Sequence, residues 1–414
     1  MGTVNFPASV GRFRCFRRFC WVAGLLLTAA CGDEVVDNRG PLVGMRISSV
    51  LGEVQDSGFL KADTPRQFVF PADHGLHPGF RSEWWYLTAV LEDSEGREFG
   101  MQYTLFKQAL SPAPTGTGSW HTGLAFMAHL ALTDVSGKGH LHEQRFARGH
   151  PKIAGVTTQP SFRAWLDDWV LQDRGQQLLD LQLQARASEF DVNLRLQQQQ
   201  PVVLQGEQGL SRKGEGSASY YYSMPRLEVS GAIQSGGRTH QVTGLAWLDR
   251  EWSTSVLPDG VAGWDWFALQ FFDRTSLMAF RLRRQDGLRD VYDHGMWIPA
   301  PVRGEVLQGE ALQGEVLQSE AGPTAVLDDK ASVLTRDDFL LTPTRFWTDR
   351  QGVSWPVSWL LDVQGQQYSV NALVDDQVMD AGFVYWEGIV GVQDGDGRDV
   401  GRGYMELTGY DAVN

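Results

Sequence analysis

The sequence predicts an all-β protein made of two consecutive antiparallel β-barrel domains, and three observations carry that reading. From Phe68 onward, short runs of β-branched and aromatic residues alternate with Gly, Asp and Asn turns, and no segment keeps a long, capped helical period. Four segments each read as two strands joined by a tight turn: "FMAHLALTDVSGKGHLHEQRF", "LDLQLQARASEFDVNLRLQ", "RLEVSGAIQSGGRTHQVTGLAWL" and "WFALQFFDRTSLMAFRLRR". Finally, the plan of "EWWYLTAVLEDSEGREFGMQYTLF" recurs as "WDWFALQFFDRTSLMAFRL": an acid among tryptophans, an apolar strand, an acidic turn and a second amphipathic strand. The recurrence divides the chain into residues 62–230 and 231–414, meeting near Gly231. Closure into barrels removes the exposed edges that so many strands would present.

The N-terminus has a different character. Arg12, Arg14, Arg17 and Arg18 precede an apolar run from Phe19 to Ala30, the pattern of a secretory signal over residues 1–30. A membrane-spanning helix needs about 20 apolar residues, so a permanent span is the weaker reading. "LTAACGDE" resembles a bacterial lipobox with Cys31 as the lipidated residue; ordinary cleavage near Ala30 is the alternative. Residues 31–61, poor in apolar side chains, read as a tether. Gly32 after the cysteine points, by analogy with lipoprotein sorting, to an outer-membrane anchor facing the periplasm. Cys15, Cys20 and Cys31 all lie in this segment, so the exported domains hold without disulfides. Loss of the four arginines takes the formal charge from −14 to −18, which argues against nucleic acid as a partner. "GEVLQGEALQGEVLQ", residues 304–318, is a five-residue repeat read as an expanded surface loop of the second domain.

The chemistry-bearing signal is a carboxylate set against tryptophan, met four times: Glu83 with Trp84, Trp85 and Tyr86; Trp247, Asp249, Glu251 and Trp252 in "WLDREWS"; Trp264, Asp265 and Trp266 in "GWDWF"; Tyr385, Trp386 and Glu387 in "YWEG". Period two places Glu83, Trp85 and Leu87 on one strand face and Trp84, Tyr86 and Thr88 on the other. It likewise separates Trp247, Asp249 and Glu251 from Arg250 and Trp252, and Asp265 from Trp264 and Trp266. An acid between aromatic walls has two uses. Desolvation keeps it protonated near neutrality, ready for general-acid work, and the rings stabilise a cation formed by protonating an alkene. The opposing reading is structural: tryptophans plug a barrel mouth, and each acid pairs with a cation such as Arg81, Arg250 or Arg281.

Other candidates rank lower. Asp73 and His74 in "DHGLHP" could approach the same barrel mouth, whereas His129 reads as a hydrogen-bonded core histidine. His140 and His142 share a strand face next to a turn, and no third ligand supports a metal. No nucleophile elbow and no phosphate-cradling glycine loop occurs.

Beyond these, "DHGLHPGFRSEWWYLTAVL", "MAHLALTDV", "AWLDDWVL", "YYYSMPRLEVSG", "GLAWLDREWS", "GWDWFALQ", "LTPTRFWT", "YWEGIVGV" and "GRGYMELTGY" resemble the AttH-like and carotenoid 1,2-hydratase (CrtC) family, from about Phe70 to Tyr410. The resemblance implies two lipocalin-like barrels, an envelope location and a site for a hydrophobic molecule between or within them. Its hydratase members add water to acyclic carotenoid ends without redox or metal cofactors. Others are called predicted secreted hydrolases, associate with ABC-transporter components or are pericyclase-type enzymes. The hydratase branch carries Asp-His-x-Trp where this chain reads Asp249, Arg250, Glu251, Trp252, and arginine stays charged.

Three functions follow. The first is an envelope lipoprotein that binds an isoprenoid or lipid-like ligand in an aromatic-lined barrel cavity. The second is a cofactor-independent hydratase, hydrolase or cyclase on such a ligand, and the third an accessory subunit of an ABC transporter. The expected catalytic residues are Asp249, Glu83, Trp252 and Asp265, and the expected ligand-binding residues are Trp84, Trp85, Tyr86, Trp264, Trp266, Tyr385 and Trp386. Asp73, His74, Glu251 and Glu387 stand second.

Overall fold

The alternating pattern folds into β-strands throughout, apart from a single 3-10 turn at Ala72–His74 among the described residues. The computed structural model describes residues 1–2 and 58–410, except 115, 176–177, 255–256, 259, 301–315, 320–321 and 327–329, with backbone alone for 316–319 and 322–326. The signal sequence, Cys31, most of the tether and most of the five-residue repeat lie outside the described residues. Every strand belongs to one compact unit, Val43–Asn414.

The first sheet opens with β1 (Ser82–Asp93), β2 (Glu98–Ala109), β3 (Leu124–Asp134) and β4 (Gly139–Arg148). It continues through β5 (Ala154–Thr157), β6 (Arg163–Leu166), β7 (Trp169–Asp173), β8 (Asp180–Arg186) and β9 (Phe190–Gln198). The short β10 (Val203–Leu204) and β11 (Leu210–Gly214) pair with the long β12 (Ser217–Ser235), and β13 (Arg238–Ser253) completes the sheet. The order β4-β3-β2-β1-β13-β12-β9-β8-β7-β6-β5 curls into a nearly closed barrel.

The second sheet holds β14 (Val261–Phe271), β15 (Ser276–Arg284) and β16 (His294–Ile298). A separate hairpin, β17 (Val316–Ser319) with β18 (Gly322–Val326), interrupts the sequence, so the end of the predicted repeat loop is strand. The sheet resumes with β19 (Ser332–Thr335), β20 (Phe339–Thr348), β21 (Ser354–Val363), β22 (Gln366–Ala372), β23 (Val378–Ala381), β24 (Phe383–Asp394) and β25 (Asp399–Thr408). Its order β19-β16-β15-β14-β25-β24-β22-β21-β20 forms a half-barrel, giving the all-β, lipocalin-like architecture.

All four predicted hairpins form, as β3–β4, β8–β9, β12–β13 and β14–β15. The repeated plan is also visible: β1–β2 and β14–β15 each begin a sheet, and β1 and β14 each pair with their sheet's last strand, β13 and β25. The division at Gly231 needs correction. Gly231 lies within β12, and both β12 and β13 belong to the first sheet. Its glycine serves a close approach instead, since a Cβ there would meet the Asn193 carbonyl oxygen at 2.2 Å.

Strand alternation sorts the apolar residues into three layers. Trp85, Leu87, Ala89 and Leu91 of β1 fill the first barrel together with Tyr103, Trp169 and Trp252. Phe267, Leu269, Trp359, Trp386 and Leu407 form the core of the half-barrel. Between the sheets lies a third layer from opposite faces of the same strands: Tyr86, Tyr221, Trp247, Trp266, Phe280, Tyr385 and Tyr404. At the β12 bulge, Gln270 donates to the Pro225 carbonyl at 2.7 Å and Arg226 donates to the Phe271 carbonyl at 3.1 Å, fastening the sheets together.

Candidate functional site

The middle layer does not close completely. It leaves a cavity of about 220 Å³ between the two sheets, so the predicted ligand space is displaced from the barrel interior. Bulky side chains, among them Trp85, Tyr103, Trp169 and Trp252, fill that interior.

β13 supplies the first wall. Trp247, Asp249 and Glu251 turn towards the second sheet, while Arg250 and Trp252 turn into the first barrel, because neighbouring strand residues face opposite ways. On β1, Trp84 and Tyr86 face the cavity and Trp85 faces the barrel core. On β14 the cavity receives Trp264 and Trp266; on β24 it receives Tyr385 and Glu387. Thus Trp84, Tyr86, Asp249, Glu251, Trp264, Trp266, Tyr385 and Glu387, drawn from all four sequence clusters, border one space.

Its carboxyls are unlike those on the surface. Asp249 is buried and accepts hydrogen bonds from the Tyr221 hydroxyl at 2.6 Å, the Trp247 indole N–H at 2.6 Å and the Ser223 hydroxyl. Burial pushes its pKa up to about 7 against those three donors. Glu251 accepts from Ser219 and pairs with Lys213 Nζ at 2.8 Å. Glu387, 1% exposed, makes no full-strength hydrogen bond through either carboxyl oxygen; the Tyr86 and Tyr385 hydroxyls flank it and act to lower its pKa. Burial, then the charge of Glu406, raises its pKa well above the carboxylate range. Glu406, directly across the β24–β25 ladder, accepts from the Trp264 indole at 3.2 Å and is pushed up to about 8, mainly by burial.

The other predicted residues serve different ends. Glu83 touches the cavity boundary, but its carboxylate is not placed as an acid. Lys107 Nζ lies 2.9 Å away, Arg250 pairs with it, and the His77 backbone N–H donates at 2.9 Å. Burial raises its pKa, yet Arg250, His77 and Lys107 outweigh burial and hold Glu83 below the usual carboxylate range, ionised. Trp85 and Trp252 wrap this network instead of a ligand: the Arg250 guanidinium sits 3.8 Å from the Trp85 ring centroid, and His77 stacks on Trp252 at 3.7 Å. Asp73 joins through His77 Nε2 at 3.1 Å and Arg66 at 3.0 Å, and His74 Nδ1 lies 2.5 Å from the Tyr222 hydroxyl inside the barrel.

Asp265 faces the half-barrel, paired with Arg281 and accepting from the Tyr410 hydroxyl at 2.8 Å. Trp386 is buried there, its indole donating to the Asp375 carbonyl at 2.7 Å. The structural reading of an acid beside tryptophan therefore holds for Glu83 and Asp265 and fails for Asp249 and Glu387. The Arg250 side chain likewise points away from the cavity, into the first barrel.

Glu406, Lys213, Tyr221 and Ser223 were not singled out from the sequence. Glu406 lies in "GYMELTG" with no tryptophan beside it; its tryptophan, Trp264, comes from another strand. His129 is the expected core histidine, with Nδ1 2.6 Å from the Tyr385 hydroxyl, and burial pushes its pKa down to about 3. Among the described residues no group of three or more His, Cys, Asp or Glu side chains could hold a metal, and no helix is long and apolar enough to cross a membrane.

Comparison with known proteins adds the following. The AttH-like family model matches residues 61–326 and 319–410. The crystal structure of an AttH candidate (NE1406) from Nitrosomonas europaea is 32% identical, covers 85% of this chain and 100% of its own, and superposes with a TM-score of 0.68. Kievitone hydratase from Nectria haematococca, 13% identical over 86% of this chain and 99% of its own, shares the fold with a TM-score of 0.57. No curated protein sequence matches the chain.

Proposed function

The chain belongs to the AttH-like family, and on that premise we propose that it binds a small, apolar, unsaturated molecule in the intersheet cavity and transfers protons to it, as a cofactor-independent hydratase or cyclase. The observation that carries this reading is Glu387, a buried carboxyl with no cationic partner among the described residues, set beside Glu406 at the wall of an aromatic cavity. With its pKa raised well above the carboxylate range by burial and Glu406, it keeps its proton where free carboxylates lose theirs. That proton passes to one carbon of a substrate double bond, forming a C–H bond and a carbocation at the other carbon. Tyr86 and Trp266, packed edge to face with ring centroids 5.2 Å apart, line the cavity and supply aromatic surface that would stabilise such a cation. Water adds to the cation and gives its proton to a carboxylate of the cluster, and transfer between Glu406 and Glu387 restores the acid. The net change is addition of one water; alternatively a second double bond captures the cation, closing a ring and leaving a new carbocation that returns a proton to the Glu387 carboxylate, a cyclisation with no net change in atoms.

Export on a lipid anchor at Cys31, with the cavity serving the periplasm, belongs to the same proposal and rests on the "LTAACGDE" pattern. Acyclic isoprenoid alcohols incubated with the protein in oxygen-18 water test the chemistry. Labelled product is expected from the native protein and none from Glu387→Gln, which should still bind the neutral dye N-phenyl-1-naphthylamine. Dye binding with neither a labelled nor a cyclised product from the native protein would reduce the function to ligand binding.

A further inference from the structure

The cavity has an imbalance of charge that proton transfer to a neutral substrate does not use. Five carboxyls border it; among the described residues Glu83 pairs with Lys107 and Arg250 and Glu251 with Lys213, whereas Asp249, Glu387 and Glu406 form no ion pair. Asp249 is satisfied by neutral donors. Glu387 and Glu406 oppose each other across two strands, and the buried Glu387 carboxyl has only the Tyr86 and Tyr385 hydroxyls beside it and no cation. A carboxyl so placed costs stability unless a ligand completes it.

Lys213 shows how this wall receives a cation. Its ammonium is held by Glu251 at 2.8 Å and lies 4.5 Å from the Phe280 ring centroid, between a carboxylate and an aromatic face. The environment of Glu387 offers the same components without the cation: a carboxyl, the rings of Tyr86 and Tyr385, and a second carboxyl at Glu406.

We propose that the cavity takes an organic ammonium ion, an apolar molecule with one protonated or quaternary nitrogen seated against Glu387 and Glu406 within the aromatic walls. The proposal rests on the intersheet cavity being the ligand site, as in the proposed function, and not on the chemistry proposed there. Without a cation, burial keeps the two glutamates protonated; a bound ammonium favours their ionised form, so binding expels a proton. The groups facing Glu387 are Tyr86 from β1, Tyr385 on its own strand, and Tyr404 and Glu406 from β25. Asp249, Glu251 and Lys213 act on Glu406. The two acids oppose its ionisation and Lys213 favours it, so the affinity of a cation must rise with pH.

Benzyltrimethylammonium and its uncharged isostere neopentylbenzene, titrated calorimetrically into the full chain, separate charge from shape. The ammonium is expected to bind about a hundredfold more tightly at about pH 9 than at about pH 6, with about one proton released near neutrality, while the isostere shows no such rise. Glu387→Gln and, independently, Glu406→Gln should each remove most of that pH dependence. Binding of neopentylbenzene but not of the ammonium at either pH would overturn the proposal and leave the apolar-substrate reading standing. Failure of both to bind would overturn the two together.

Discussion

Glu387 on β24 lies directly opposite Glu406 on β25, and neither carboxyl meets a cation among the described residues. Like charges across a ladder repel and burial removes the water that would screen them, so both groups stay protonated at pH values where free carboxylates are ionised. The same arrangement that readies an acid for proton transfer also weakens the fold.

That cost has a defined pH dependence. The folded pKa of Glu387 is raised above the ordinary 4.5, so the stability it permits is full below that value and is lost as pH rises towards the folded pKa. Glu387→Gln should therefore match the native protein at about pH 4 and exceed it at about pH 9 by at least about 1.4 kcal/mol, the worth of a one-unit shift. Urea unfolding at the two pH values measures this, and equal stability at both would contradict the assigned protonation.

Glu83 shows the opposite sign. Its folded pKa is lowered, so its contribution is present above the ordinary 4.5 and is lost as pH falls through the lower folded value. Removing its partner in Arg250→Met should cost about 3–5 kcal/mol, the penalty of breaking a buried ion network, and chemical denaturation at neutral pH would reveal it.

Arg250→His, which writes the hydratase-branch histidine into the chain, should also lose stability. It should not create or raise oxygen-18 labelling, because position 250 faces the barrel core. A gain in labelled product would contradict this orientation.

The two tryptophans nearest the acids of the second sheet should separate cleanly. Trp264→Ala opens the cavity wall and should weaken N-phenyl-1-naphthylamine binding about tenfold, or about 1.4 kcal/mol, with little change in stability. Trp386→Ala empties the half-barrel core and should cost about 3–5 kcal/mol of stability. Dye titration and thermal unfolding of both variants distinguish the roles.

A fragment of residues 58–230 should fail to unfold cooperatively, because it lacks β13, which pairs with both β1 and β12. Circular dichroism against temperature shows whether a transition remains; a sharp one would restore the boundary near Gly231.

Much of this was legible in the chain. Period-two alternation separated Asp249 and Glu251 from Arg250 and Trp252, Trp84 and Tyr86 from Trp85, and Trp264 and Trp266 from Asp265, and each separation holds in the sheets. The hairpins were equally readable, since a tight turn and its flanking strands are local. The placement of the cavity was not, because both faces of the strands around it are buried and apolar residues cannot announce which layer they join.

Local sequence by itself determined the strands, their turns and the face each carboxyl occupies, because backbone geometry sets all three within a few residues. Only the tertiary structure decided the fate of those carboxyls. Glu83 meets Arg250 and Asp265 meets Arg281, while Glu387 meets Glu406, because strands distant or merely adjacent in sequence are brought into one register. Whether a buried acid faces a cation or another acid sets its charge, and only the packing of strands decides which of the two it meets.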